Sequence, residues 1–406
     1  MPHSIAFVRT LALCAVACLL PATAEAQETA ASQPKSCVSE GFFAPPPTYK
    51  SVEVLPDDKV TFRICAPEAR EVILISADVD GVIPGAAFPP NPKAGLVMTM
   101  DASGLWSVTT PKPVPADNYR FAFRVDGVKV PDPRGTTYSE ERNGTNSTFE
   151  VPGEAGAFQA YDPAVPHGAV SEIEYWSSSL GIRRRAHVYT PPGYMKDGKD
   201  YPVLYLVHGA GDSDDSWTSV GHANYILDNL IAAGKAVPMI VIMPNSHTPN
   251  RPGVDVLNNP DFGNDLIKDL IPYVESHFRT IDSADSRAMA GLSMGGVHTI
   301  RFGLTHPELF HSIGIFSSGL GLGPDAAGQI AAFEAANDVA LKRDAQDLKL
   351  TYYAIGSEDP FGGSVASTRG IFDKYGISLV FNQSTGGHTW INWRRYLEDF
   401  APRLFK

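Results

Sequence analysis

The sequence predicts two folded regions, a small all-β sandwich followed by an α/β region with a mostly parallel sheet covered by helices. Residues 48–152 consist of short runs of alternating apolar and polar side chains, separated by turn residues and free of helical periodicity. From residue 169 to residue 406, apolar strand-like runs alternate with amphipathic helices, which is typical of a parallel sheet buried on both faces. The 406 residues are enough for two hydrophobic cores.

The first 26 residues have the pattern of an export signal. Arg9 precedes an apolar run at 11–20, and the segment ends at Ala24-Glu25-Ala26, a typical cleavage site. We expect cleavage there and a secreted or periplasmic protein, with lipoprotein processing at Cys18 as the alternative. The apolar run is too short for a membrane span, and no later stretch qualifies.

Removal of this signal leaves two of the four cysteines, Cys37 and Cys65. An even pair in an exported protein is compatible with one disulfide that ties the Pro-rich tether at 27–47 to the first region, and two free thiols are the alternative. The net charge of -12 gives no support to nucleic-acid or anionic-membrane binding. No metal-ligand spacing or nucleotide motif is visible, so we expect neither a metal nor another cofactor.

The strands of the first region have the spacing of an immunoglobulin-like sandwich, and a Pro/Gly-rich linker at 153–168 ends it. The stretches VTFRICAP at 60–67, GLWSV at 104–108 and NYRFAFRVDG at 118–127 resemble the early-set sandwiches of family-48 carbohydrate-binding modules. The matches concern framework positions. The resemblance therefore leaves open whether this region binds xylan or only shapes a neighbouring cleft.

The central motif of the second region is Gly291-Leu-Ser-Met-Gly295, which lies between an apolar strand and a helical run. In this strand–turn–helix setting, a G-x-S-x-G serine is lifted clear of the sheet as a nucleophile. Small residues flank the serine because strand and helix approach closely. The motif predicts Ser293 as the nucleophile and an α/β-hydrolase fold for residues 169–406.

The nucleophile, acid and base of this fold follow one another in the chain in that order. His388 lies far enough downstream, in a Gly-rich loop after the last predicted strand. The acid should follow the preceding strand, where Asp359 is our choice and the adjacent Glu358 is the alternative. His388 is expected to take the proton of Ser293, and the acid is expected to hold the imidazole.

An oxyanion hole needs two backbone N–H groups that point at the developing negative charge. Met294, directly after the nucleophile, is expected to supply one. The other should come from the turn after the strand at 203–207, where Ala210 is the candidate and Gly209 or Gly211 is the alternative.

Two tryptophans are candidates for substrate contacts. Trp217 lies in the loop after the oxyanion strand, and Trp390 begins the last helix. Packing inside the domain is the alternative for both residues.

Residues from about 170 to 406 resemble the family-1 carbohydrate esterases, which include feruloyl and acetylxylan esterases and have esterase D and mycolyltransferases as relatives. The matching motifs are YPVLYLVHG at 201–209, ANYILDNLI at 223–231, AGLSMGG at 290–296 and GHTWINW at 387–393. The resemblance implies that Ser293, Asp359 and His388 are nucleophile, acid and base, in agreement with the order of these residues in the chain.

These observations together predict an exported serine esterase that removes feruloyl groups from xylan through an acyl-enzyme. Its substrate would be a polysaccharide-linked or small aryl ester. The alternatives are an acetylxylan esterase and a siderophore esterase of the enterobactin type, which also pairs an N-terminal β region with this hydrolase fold. A glycan-binding protein without catalysis is the non-enzymatic alternative.

Overall fold

The structure, a computed structural model, describes residues 37–38, 43, 45, 47–252, 254 and 259–406. The predicted export signal at 1–26 and most of the predicted tether at 27–47 lie outside the described residues. A disulfide joins Cys37 to Cys65, with the two Cα atoms 5.6 Å apart. In the part of the chain that is described, no helix has the length and apolar character needed to cross a membrane.

Residues 52–151, here called the N-terminal β region, form two antiparallel sheets. One sheet has the order β1-β2-β6-β5, and the other has the order β4-β3-β7-β10-β9 with β8 paired to β7. Trp106 and Tyr119 are buried between the sheets, as the alternation of their strands predicts. The strands are β1 Val52–Val54, β2 Val60–Cys65, β3 Val72–Ile75, β4 Leu96–Val97, β5 Thr99–Met100, β6 Leu105–Thr109, β7 Asp117–Val125, β8 Val128–Val130, β9 Tyr138–Glu141 and β10 Gly144–Val151.

A single apolar core lies between these two sheets and contains a cluster of aromatic rings. The ring of Phe62 lies 4.9 Å from that of Phe121 and 5.1 Å from that of Phe149, measured between centroids. The segment after β10 contains a 3₁₀ helix, Glu154–Gln159, inside the predicted linker at 153–168.

The second region, here called the hydrolase region, begins at residue 169 and contains a sheet with the order β11-β12-β14-β13-β15-β16-β17-β18. β12 pairs antiparallel with both β11 and β14, and the other pairs are parallel. The mostly parallel sheet predicted from the sequence is therefore present. The strands are β11 Ala169–Ser177, β12 Ile182–Thr190, β13 Val203–Val207, β14 Ile240–Pro244, β15 Arg287–Leu292, β16 Ser312–Phe316, β17 Leu350–Gly356 and β18 Val380–Ser384.

Helices cover both faces of this sheet, and separate apolar clusters fill the space beneath them. The α-helices are α1 Tyr194–Asp197, α2 Ser216–Ser219, α3 Ala223–Ala232, α4 Asp261–Asp265, α5 Ile271–His277, α6 Met294–His298, α7 Ala326–Asp347, α8 Val365–Tyr375 and α9 Trp390–Phe400. Short 3₁₀ helices lie at Ala284–Ser286, Pro360–Ser364 and Ala401–Arg403.

Two segments of π-helix interrupt the α-helical pattern. Leu266–Leu270 joins α4 to α5, and Thr299–Gly303 follows α6. The first lies just before Pro272, near the start of α5. Proline has no N–H and crowds the carbonyl one turn earlier, and the wider π turn accommodates both effects.

The two regions pack directly against each other. Arg394 of α9 is fully buried and donates hydrogen bonds to the carbonyl oxygens of Val220 at 2.6 Å and Asn118 at 3.0 Å. Arg394 also forms an ion pair with Asp117 of β7 at 2.5 Å. The last long helix of the hydrolase region is thereby joined to the N-terminal β region.

Candidate active site

Ser293 lies at the sharp turn between β15 and α6, with φ 52 and ψ -117. This backbone conformation is strained for a residue other than glycine. A Cβ atom on Gly291 would lie 2.5 Å from the backbone of Gly295, and one on Gly295 would lie 2.4 Å from the carbonyl oxygen of Val207. The two glycines of the motif are therefore required because neighbouring backbone occupies the space of a side chain.

The structure brings the side chains of Ser293, His388 and Asp359 together. His388 Nε2 lies 3.0 Å from Ser293 Oγ, and His388 Nδ1 lies 3.1 Å from Asp359 Oδ2. Asp359 follows β17 and caps the 3₁₀ helix Pro360–Ser364, whereas the adjacent Glu358 is exposed. The arrangement allows a proton to pass from the Ser293 hydroxyl to the imidazole.

The carboxylate of Asp359 is buried and held by several donors. Burial acts to raise the pKa of Asp359, but the interactions with His388, Phe361 and Ser317 together lower this pKa from its ordinary value. The backbone N–H of Phe361 also donates to Asp359 Oδ1 at 3.0 Å. An ionised carboxylate in this position can hold the imidazole with Nε2 facing Ser293.

Met294 and Ala210 are the predicted oxyanion donors. Met294 is the first residue of α6, and an N–H in the first turn of a helix has no partner within that helix. Ala210 is exposed in the turn after β13, and both residues line the same cavity as Ser293. The structure thus places both residues beside the cavity that Ser293 faces, and their role as oxyanion donors stays a prediction.

His208, directly after β13, is buried and makes hydrogen bonds that fix the neighbouring backbone. Its Nδ1 donates to the carbonyl oxygen of Gly209 at 2.8 Å, and its Nε2 accepts a hydrogen bond from the N–H of Ser246 at 2.9 Å. Burial lowers the pKa of His208. A neutral ring satisfies both hydrogen bonds.

Ser293 and His388 open into a cavity of about 1020 Å³ between the two regions. The ring of Phe361 lies 4.9 Å from that of His388, and the ring of Trp393 also lies 4.9 Å from it. The N-terminal β region contributes further lining residues, namely Ala77, Asp78, Phe88, Arg120, Glu141 and Arg142. The cavity wall is thus built by both regions.

The predicted substrate contact of Trp217 is wrong. The side chain is completely buried, does not line the cavity and donates from Nε1 to the carbonyl oxygen of Val207 at 3.2 Å. The short helix α2 places the ring in the core, where it packs edge-on against Trp390 at 5.1 Å. Trp390 does line the cavity, although only 1% of it is exposed.

Phe88 and Arg120 are cavity residues that the sequence reasoning missed. Phe88 lies in a Pro-rich loop, and Arg120 alternates with aromatic residues in β7, which indicates only a position in a strand. Their positions in the cavity depend on how the two regions pack together. Among the described residues, no group of three or more His, Cys, Asp or Glu side chains is arranged to hold a metal ion.

Comparisons with known proteins agree with this architecture. The family model described as "Putative esterase" matches residues 177–404. A protein from Xylanibacter ruminicola named endo-1,4-beta-xylanase/feruloyl esterase is 32% identical over 352 residues, which cover 85% of this chain and 44% of that protein. This chain therefore spans less than half the length of that relative.

Solved structures share the fold. A ferulic acid esterase from Anaeromyces mucronatus is 23% identical with a TM-score of 0.53, and the match covers 61% of this chain and 94% of that one. An enterochelin esterase from Shigella flexneri is 18% identical with a TM-score of 0.59, and the match covers 87% of this chain and 95% of that one. The α/β-hydrolase fold predicted for the second region is thus confirmed. The chain therefore belongs to the esterase family whose model matches residues 177–404.

Proposed function

We propose that this esterase hydrolyses feruloyl esters on xylan, with Ser293 as nucleophile, His388 as general base and Asp359 as the acid that orients the base. The observation that carries this proposal is the hydrogen-bonded series from Ser293 Oγ through His388 to Asp359 at the floor of the shared cavity. The xylan substrate is proposed from the name of the Xylanibacter ruminicola relative.

The proposed reaction has two acyl-transfer steps. Ser293 Oγ attacks the ester carbonyl as its proton moves to His388 Nε2, and the N–H groups of Met294 and Ala210 stabilise the negative oxygen of the tetrahedral intermediate. The C–O bond to the alcohol then breaks, and His388 returns the proton to the departing oxygen. Water, deprotonated by His388, attacks the acyl-enzyme in the same way and releases the acid and Ser293.

The aromatic rings around His388 support an aromatic acyl group over acetyl. Phe88, Phe361 and Trp393 each have a ring centroid within 5 Å of the His388 ring. Flat apolar side chains favour a planar hydroxycinnamoyl group because ring contacts add to the free energy gained from burial. An acetyl group would leave most of this cavity unfilled.

A siderophore ester is the second candidate, and one observation favours it. The similarity to the Shigella flexneri enterochelin esterase covers 87% of this chain, so it extends beyond the hydrolase region. The likeness to the ferulic acid esterase covers 61% of the chain. A large cavity between two regions would also accommodate a tricatechol lactone.

A panel of esters tests the proposal. We expect kcat/KM for methyl ferulate and feruloylated xylo-oligosaccharides to exceed the values for acetylated xylan and a tricatechol lactone by at least roughly tenfold, equivalent to about 1.4 kcal/mol. A preference for the lactone would establish the second candidate instead.

Ser293→Ala is expected to abolish turnover of every ester in this panel, because no other group replaces the attacking oxygen. Its matched control is Ser276→Ala, at an exposed serine on α5, which should retain wild-type activity. Activity of Ser293→Ala near that of the wild type would refute the assignment of the nucleophile.

Export and glycan binding are separate proposals. We propose that the chain is exported after removal of residues 1–26, and N-terminal sequencing of the mature protein should then begin at Gln27. A start upstream at Cys18 would indicate a lipoprotein.

Xylan binding by the N-terminal β region is tested by affinity electrophoresis of Ser293→Ala in xylan-containing gels, where unchanged mobility would contradict it.

A further inference from the structure

The turn that carries the proposed oxyanion donor Ala210 is held by the N-terminal β region. This turn, residues 208–212, is called the oxyanion turn below. Arg120 of β7 donates from Nη1 to Asp212 Oδ1 at 2.8 Å. The same guanidinium also binds both carboxylate oxygens of Asp78, with Nε–Oδ2 and Nη2–Oδ1 distances of 3.0 Å.

Asp212 links Arg120 to the backbone next to Ala210 through hydrogen bonds. Its second oxygen, Oδ2, accepts a hydrogen bond from the N–H of Gly209 at 3.2 Å, and its own N–H donates to the carbonyl oxygen of Gly209 at 3.2 Å. The carboxylate therefore joins the Arg120 guanidinium to the residue that precedes the proposed donor. A change in the orientation of Gly209 would turn the following peptide and move the N–H of Ala210.

A second contact fixes the other side of the turn. Glu141, at the end of β9, forms an antiparallel bridge with Asp212, and the N–H of Arg142 donates to the carbonyl oxygen of Gly211 at 3.1 Å. Gly209 and Gly211 are thus held on either side of Ala210. The N-terminal β region supplies a contact on each side.

Arg120 is the cation that Asp78 and Asp212 share in this cluster. Arg120, Asp78 and Asp212 are all buried, with 9%, 4% and 5% of their surfaces exposed. The Arg120 guanidinium also lies over the ring of Trp390, at 5.7 Å from its centroid. Without the cation, two buried carboxylates would face each other without compensation, and Asp212 would lose the partner that holds it in place.

We propose that Arg120 is a positioning residue for the oxyanion hole, acting through Asp212 on the peptide of Ala210. Arg120, a residue of the N-terminal β region, thereby contributes to ester hydrolysis without contacting the reacting atoms. This inference rests on the proposed roles of Ser293, Met294 and Ala210.

The test compares two arginine variants that each lose an ion pair between the regions. Arg120→Met loses its contacts with Asp78 and Asp212. The control, Arg395→Met, loses a 3.2 Å ion pair with Asp117, and neither residue belongs to the oxyanion turn. With p-nitrophenyl acetate as substrate, we expect kcat of Arg120→Met to fall roughly 10- to 100-fold, because loss of a complete oxyanion donor costs about 100- to 1000-fold. KM should stay within about threefold, and Arg395→Met should match the wild type.

A second readout separates positioning from a general structural effect. Benzeneboronic acid forms a tetrahedral adduct with a serine nucleophile, so its Ki reports stabilisation of the transition-state geometry. We expect this Ki to rise in Arg120→Met in proportion to the loss of kcat/KM. Circular dichroism and thermal melting establish that the variant is folded. Asp212→Asn, which keeps the shape of the side chain and removes its charge, provides the same test if Arg120→Met does not fold.

The inference is overturned if folded Arg120→Met or Asp212→Asn retains the kcat and the boronate Ki of the wild type. It is equally overturned if Arg395→Met loses as much activity as Arg120→Met. Ser293→Ala distinguishes failure of the positioning role from failure of the proposed function. An inactive Ser293→Ala beside wild-type behaviour of the Arg120 and Asp212 variants removes only the positioning role.

Discussion

The ring of Phe88, in the N-terminal β region, lies 4.4 Å from the ring of His388 in the hydrolase region, with 51° between their planes. Phe88 also approaches Phe361, at 5.8 Å between ring centroids. A residue far upstream thus forms part of the wall beside the proposed general base. The shape of the cavity above Ser293 depends on this contact between the two regions.

Replacing Phe88 with alanine should reduce activity on aromatic esters selectively. The variant loses one of the rings proposed to contact the acyl group, and such contacts contribute about 0.5–1.5 kcal/mol beyond burial. We expect kcat/KM for methyl ferulate to fall roughly 3- to 10-fold and that for p-nitrophenyl acetate to change less than about twofold. Trp176→Ala, at an aromatic residue with 63% of its surface exposed, is the control. Equal losses for both esters would contradict a role in acyl recognition.

Asp359→Asn and Glu358→Gln form a matched pair that tests the identity of the acid. Asp359→Asn removes the charge that holds the His388 imidazole, so kcat should fall by roughly 10³- to 10⁴-fold. Glu358 is exposed, and its glutamine variant should retain near wild-type kcat. Steady-state kinetics on one ester decide the matter, and the reverse ranking of the two variants would identify Glu358 as the acid.

The residues that the sequence could predict are those whose roles follow from local geometry and chain order. Ser293 was identifiable because its neighbouring glycines admit the strained turn, and His388 because it follows the last strand on a loop. The prediction for Trp217 is wrong because the loop expected after β13 contains a helical turn, α2, which directs the ring into the core. Phe88 and Arg120 could not be found, since their positions depend on packing between segments far apart in the chain.

The buried acid of helix α7 should make stability depend on pH. Asp344 is 1% exposed, and within the described residues neither of its carboxylate oxygens has a hydrogen-bond partner. Burial, together with the charge of Asp347, raises the pKa of Asp344 to about 8. Between about pH 4 and pH 8, the folded protein holds a proton that the unfolded chain releases. Raising the pH through this window therefore lowers the free energy of unfolding, by at most about 1.4 kcal/mol per pH unit.

Asp344→Asn removes the titrating group and tests whether stability falls as the pH rises. The difference in melting temperature, variant minus wild type, should increase from pH 5 to pH 8.5, as measured by circular dichroism. Asp373→Asn, at an exposed acid on α8, should show a constant difference over the same range. A difference for Asp344→Asn that does not change with pH would show that Asp344 titrates normally.

The disulfide should stabilise the N-terminal β region. It closes a loop between residues separated by 28 positions in sequence, and a cross-link of this kind restricts the unfolded chain. Replacement of both Cys37 and Cys65 with serine should lower the free energy of unfolding by about 2–4 kcal/mol, measured by urea denaturation. Reduction of the wild type should reproduce the loss. An unchanged denaturation midpoint in the double variant would show that the cross-link does not contribute to stability.

The burial of Arg394 against Asn118 and Asp117 also bears on when the enzyme becomes active during synthesis. Helix α9 begins two residues after His388, so the proposed base and the contact that joins the two regions emerge from the ribosome almost together. A nascent chain that ends before His388 has the sharp turn at Ser293 but lacks both the proposed base and Arg394. Hydrolytic activity should therefore arise in a single late step of folding, after the β strands that receive Arg394 have already formed.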